Sequence, residues 1–179
     1  MSTIINGSSP SITFSDSTTQ TTAFTGSASQ ITSGTLPSAQ LPTGSVLQVV
    51  NVAYGTQQSN TSSTYSDTGL TASITPKFST SKILVLVSHS GCLSSGATNA
   101  IGNYRLFRNS TNIIQFGAIG NSALDTNGLF GVSTSYLDSP ATTSATTYKT
   151  QFSNKYSSGT VYINAYDASS TITLMEIAG

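Results

Sequence analysis

The chain has 179 residues and carries six Lys or Arg and six Asp or Glu, so its formal net charge is zero. Charged residues make up 7% of it, against roughly 25% in an ordinary soluble domain. Ser and Thr together supply 62 residues. Six basic residues on a neutral chain exclude a phosphate-gripping nucleic-acid binder, because that affinity rests on Lys and Arg displacing counterions. One Cys and one His provide neither a disulfide nor a zinc cluster. The longest apolar run is Ile83–Val87, far below the roughly 20 residues of a membrane helix. MSTIINGSSP at the start has no basic region and no apolar stretch, so no signal peptide is expected.

Residues 1–45 differ from the rest. Asp16 is their one charge, 21 of them are Ser or Thr, and Pro10, Pro37 and Pro42 punctuate them. Their larger apolar residues are Ile4, Ile5, Ile12, Phe14, Phe24, Ile31, Leu36 and Leu41, too few to offset the entropy of ordering the segment alone. An extended N-terminal arm is expected, with Ile12-Thr13-Phe14 able to form a short strand against a partner surface. LPSAQLPTG (Leu36–Gly44) reads as the linker that ends it.

From residue 46 to 179 one strand follows another. VLQVVNVAY (Val46–Tyr54) places Val46, Gln48, Val50 and Val52 on one face. GLTASITP (Gly69–Pro76) alternates Leu70, Ala72 and Ile74 with Thr and Ser. KILVLVSH (Lys82–His89) is apolar on both faces, as in a strand covered on both sides, with Leu84 and Leu86 expected deep in the core. NYRLFRN (Asn103–Asn109) and NIIQFGAIG (Asn112–Gly120) form a hairpin about Asn109–Thr111. LFGVSTSYLD (Leu129–Asp138), TTYKTQF (Thr146–Phe152), TVYINAYD (Thr160–Asp167) and TITLMEIAG (Thr171–Gly179) complete the series. No segment has the composition of a helix. Strands spaced in this way predict an all-β, antiparallel, jelly-roll-like β-sandwich over 46–179.

Few residues suit catalysis. His89 and Cys92 lie three apart, on opposite faces of a regular strand unless Gly91 bends it. Asp67, Asp125, Asp138 and Asp167 fall near turns, where Asp commonly stabilises the backbone. Asp138 with Asp167 is the one pair assignable to glycoside hydrolysis, which needs two carboxylates roughly 5–10 Å apart. Asp125-Thr126-Asn127-Gly128 offers oxygen ligands to calcium but only one carboxylate. We therefore expect no catalytic residues, no metal and no cofactor. Tyr136, Tyr156, Tyr162 and Tyr166, with Tyr148, cluster in the last third and are candidates for a recognition surface. The sequons at Asn6, Asn60 and Asn109 are expected by chance in so Ser- and Thr-rich a chain.

ITFSDSTTQTTAFTG (Ile12–Gly26) resembles the F-x-D-G-T-T-Q-T-T-A signature of many bacteriophage fibre proteins, with Ser17 where Gly is usual. LPTGSVLQVV (Leu41–Val50), TGLTASITPKFSTSKILVLVS (Thr68–Ser88), YLDSPATTSATTYKTQF (Tyr136–Phe152) and TITLMEIAG (Thr171–Gly179) are similar to a C-terminal module of marine and cyanobacterial phage virion proteins. The resemblance implies a trimeric, β-rich, non-enzymatic virion component, found in heads as well as in tail fibres. Within the virion the expected role is capsid decoration or cement, because an arm of 45 residues is long enough to grip a lattice and short for a fibre shaft. The arm would bury Ile4, Ile5, Ile12, Phe14 and Phe24 against neighbours such as the major capsid protein. The alternative is a tail fibre or tail-tip protein that binds a host surface glycan. Neither reading involves nucleic acid or a membrane, and both place the protein in the virion.

Overall fold

The computed structural model describes residues 38–96, 99–121 and 128–179. Before these it describes Ser17 and the backbone of three short strands. Strands β1 (Ile4–Asn6), β2 (Ser11–Thr13) and β3 (Thr19–Gln20) form one antiparallel sheet in that order, with Ile5 opposite Ile12. The alternation at Ile12-Thr13 is thus used within the segment itself. Ser17 adopts φ 67°, the left-handed conformation that Gly favours. A short 3-10 turn, Ser38–Gln40, ends this unit.

Leu41–Gly179 is a second compact unit. Its strands are β4 (Val46–Tyr54), β5 (Gln58–Asn60), β6 (Ser66–Ile74), β7 (Lys82–Ser95), β8 (Ala100–Arg108), β9 (Thr111–Asn121), β10 (Gly128–Asp138), β11 (Thr146–Asn154), β12 (Thr160–Ile163) and β13 (Ser170–Ile177). One sheet has six strands. β7 runs through its middle, with β10 along one edge. β13 (on Lys82–Ser88) and β12 (on Leu93–Ser95) share the other. β4 adds to β13 and β5 to β12. The second sheet runs β6-β11-β8-β9. All pairings are antiparallel. The long strands pair in nested fashion: β4 with β13, β6 with β11, β7 with β10 and β8 with β9. The described residues contain no α-helix, and the fold is the expected antiparallel β-sandwich.

Each sheet turns alternate residues inward. Leu70, Ala72 and Ile74 meet Ile83, Val85, Val87, Tyr104, Leu106, Tyr148, Phe152, Val161, Ile163, Ile172 and Leu174 in one core. The expectation that Leu84 and Leu86 lie deepest is overturned. Ile83, Val85 and Val87 take that place, and Leu84 and Leu86 are half-exposed on the outer face. A two-layer sandwich buries one face of each strand, and among the described residues no third layer covers the other. Some polar core positions pair through hydroxyls: Thr68 Oγ1 lies 2.6 Å from Thr150 Oγ1.

Three departures from the sequence reading have local causes. β7 continues past His89 to Ser95 because Gly91 takes φ 60°, and a Cβ there would lie 2.6 Å from the Ala165 carbonyl oxygen. β12 stops at Ile163, since Asn164, Tyr166 and Asp167 all have positive φ. Val46 is turned outward and is 51% exposed, because a bulge at Glu176/Ile177 shifts the β4 register.

Candidate functional surfaces

His89 and Cys92 both face the core. The irregularity at Gly91, opposite Phe130/Val132, adds the residue that brings them to one side, contrary to the offset of a regular strand. His89 is 1% exposed, with its ring parallel to Phe116 at 6.2 Å. Its Nδ1 lies 3.1 Å from Ser170 Oγ, which donates to Asn164 Oδ1 at 2.6 Å. Burial lowers the His89 pKa to about 4 and pushes the Cys92 thiol up to about 11. A neutral, enclosed imidazole and a protonated thiol are poorly disposed to nucleophilic chemistry.

Asp138 and Asp167 lie apart. Asp138 is opposite Ile83, whereas the segment leading to Asp167 bonds to Ser90 and Gly91. Along β7 that separation is roughly 25 Å at about 3.3 Å per residue, beyond the reach of a glycosidase pair. Asp138 is instead an internal anchor. Its carboxylate accepts two bonds from Arg108 Nη1 at 2.9 and 3.0 Å and one from the Tyr148 hydroxyl at 2.7 Å. Burial and that carboxylate raise the Tyr148 pKa. Asp125 lies outside the described residues, as do Phe14 and Phe24. For Ile4, Ile5 and Ile12 the structure describes the backbone alone.

The tyrosine candidates are not gathered. Tyr136 is opposite Val85 and packs half-buried against the core. Tyr162 is half-exposed on β12, Tyr156 follows β11 and is 55% exposed, and Tyr166 sits on a turn, 72% exposed. No ring contact joins these three among the described residues.

Two surfaces that the sequence reading did not assemble stand out. On the outer face of the four-stranded sheet the Arg105 guanidinium lies 3.7 Å from the Tyr65 ring centroid and 4.8 Å from that of Phe107. Its Nε and Nη2 donate to Gln151 Oε1 at 3.1 and 2.8 Å. Gln151 Nε2 and Lys149 Nζ donate in turn to Asp67 at 2.6 and 2.9 Å. Burial opposes ionisation of Asp67, but these two donors outweigh it and hold its carboxyl below the usual range. Beside them a cavity of about 180 Å³ is lined by Asp67, Gly69, Leu70, Thr71, Lys149 and Thr150. It opens where a bulge sets Thr68, Gly69 and Leu70 against Thr150 alone.

The outer face of the six-stranded sheet has the opposite character. Val49, Met175, Leu84 and Leu137 lie side by side across β4, β13, β7 and β10. Val49 is 53% and Leu137 50% exposed. The next rows are Asn51-Thr173-Leu86-Ser135 and Ala53-Thr171-Ser88-Ser133, and Val46-Ile177-Lys82 borders the first. Lys82 is the one charge these strands turn outward, since Asp138 and Glu176 point inward and are buried. Glu176 accepts from Gln48 Nε2 at 2.6 Å and the Lys77 amide at 2.7 Å. Burial works against its ionisation, but these donors, the Ser81 hydroxyl alongside and the Phe78 amide hold its carboxyl below the usual range. Period-two alternation marks each strand's faces, but only the pairing of strands distant in sequence assembles the rows. Comparison with protein-family profiles and with curated proteins gives no match.

Proposed function

We propose that this protein is a non-enzymatic structural component of a bacteriophage particle, acting as a homotrimer in capsid decoration or cementing, with its N-terminal segment as the anchor. The observation that carries this reading is the broad, nearly uncharged outer face of the six-stranded sheet. An enzyme gathers perturbed titratable groups in a cleft. Here His89 and Cys92 lie inside the core and Asp138 is bonded on both oxygens, while the surface offers apolar and hydroxyl side chains suited to lasting contact. The likeness of Ile12–Gly26 to the phage fibre signature supports the setting, as does the nested strand order, which viral capsid domains share.

The second reading, a tail fibre or tail-tip protein that recognises a host glycan, is favoured by one feature. The cavity beside Asp67 and Lys149 presents acceptors and donors together, as sugar hydroxyls require. Locating the protein in purified particles by mass spectrometry and electron microscopy decides between them. Density on the capsid lattice supports decoration, density projecting from the tail supports the fibre, and absence from particles overturns both.

A further inference from the structure

We infer that a second copy of this chain covers the outer face of the six-stranded sheet, centred on the row Val49-Met175-Leu84-Leu137. This deepens the assembly reading and rests on it for the purpose of the contact, but not for the contact itself.

Four observations point to a copy as the occupant. First, the apolar row crosses four strands without interruption, and its two end residues are about half exposed, Val49 at 53% and Leu137 at 50%. Water contact with so continuous a strip is unfavourable, and single scattered apolar residues would not need explanation. Second, the area suffices. Four strands at about 4.8 Å spacing and some nine residues at about 3.3 Å each span on the order of 600 Å² before side-chain relief is added, close to the roughly 800 Å² per partner of a standard interface. Third, among the described residues the strands of this face turn outward one charge, Lys82, at its border. An acidic or basic partner would find almost nothing to pair with, whereas a chain of zero net charge meets its own copy without repulsion. Fourth, the molecule's charges gather elsewhere. Asp67, Lys149 and Arg105 occupy the outer face of the other sheet, and covering that face would strip water from all three. The six-stranded face is the one that can be covered at little cost in desolvation. The row Ala53-Thr171-Ser88-Ser133 brings hydroxyls that can donate and accept across the contact.

The test uses the full-length purified protein, without particles, so that a failure of the virion reading leaves it standing. Sedimentation equilibrium should show reversible association. Val49→Lys with Leu84→Lys places two ammonium groups on the face and should weaken association by about tenfold or more, while Ser73→Lys on the opposite sheet should not. Leu137→Cys is a mild second variant whose fold does not depend on a buried residue, and the native Cys92 is buried. Alkylation of the introduced thiol should slow as protein concentration rises through the association range. A monomer at every concentration overturns the inference. So does association that persists in the double Lys variant, or that leaves the alkylation rate of the Leu137→Cys variant unchanged. Either result would transfer the contact to the N-terminal segment or another surface.

Discussion

At the scale of single residues, the buried polar groups set how the protein responds to pH. His89 titrates near 4 when folded, against 6.5 for a free imidazole. Between those values the unfolded chain holds the extra proton, so stability falls as pH drops from about 6.5 toward 4. The full span is worth about 3 kcal/mol. Denaturant midpoints should decline over that window, and His89→Asn should flatten the decline even if it lowers stability at neutral pH. Glu176 and Asp67 have depressed carboxyls, so their contributions are present above the carboxylate range and are lost at lower pH still. Asp138 makes a separate prediction. Asp138→Ala leaves the buried Tyr148 hydroxyl without an acceptor and removes both bonds from Arg108 Nη1, and should cost about 3 kcal/mol in chemical denaturation. Tyr148→Phe, which removes one donor and leaves the ion pair, should cost about 1 kcal/mol.

At the scale of elements, a strand's two faces differ in energetic weight. Ile83→Ala removes a fully buried side chain and should cost about 2–5 kcal/mol. Leu86→Ala trims the outer face and should cost about 1 kcal/mol or less in the monomer. Equal losses at the two positions would mean that the outer face is packed as tightly as the core. The two sites also show what could be read from sequence. β4 ends where its period-two pattern ends, and Leu70, Ala72 and Ile74 face inward as their alternation requires. β7 misled because Ile83–Val87 is apolar throughout, and alternation alone cannot say which half meets the other sheet. β5 was not legible: Gln58-Ser59-Asn60 has no apolar period, and it forms only because β12 offers an open edge. The surface built from Asp67, Lys149, Gln151 and Arg105 was equally hidden. Each residue sits on the polar side of its strand, but β6, β11 and β8 lie side by side through nested pairing that spacing does not encode.

At the scale of the whole molecule, the chain comprises two compact units divided after Gln40. The second closes on itself at its own N-terminal end. The Gly44 amide donates to the Ala178 carbonyl at 2.8 Å, and the Ala178 amide donates to the Ser45 carbonyl at 2.9 Å. These bonds tie the start of the sandwich to the end of β13 and owe nothing to residues before Leu41. The core residues all lie between Leu70 and Leu174. Deleting residues 1–40 should therefore leave a folded sandwich whose thermal midpoint, measured on dilute monomer, is nearly unchanged. In the proposed reading the first unit, whose sequence has few large apolar side chains, acts through what it contacts. The same deletion should sharply reduce incorporation into particles that lack the native copy, measured as occupancy by quantitative mass spectrometry. Full occupancy by the truncated protein would show that the sandwich is the anchor. A truncated protein that no longer folds would show that the first unit supports the second. With self-association carried by the six-stranded face, the truncated protein should still associate in solution. Loss of attachment with association retained would separate the contact between copies from the contact with the particle.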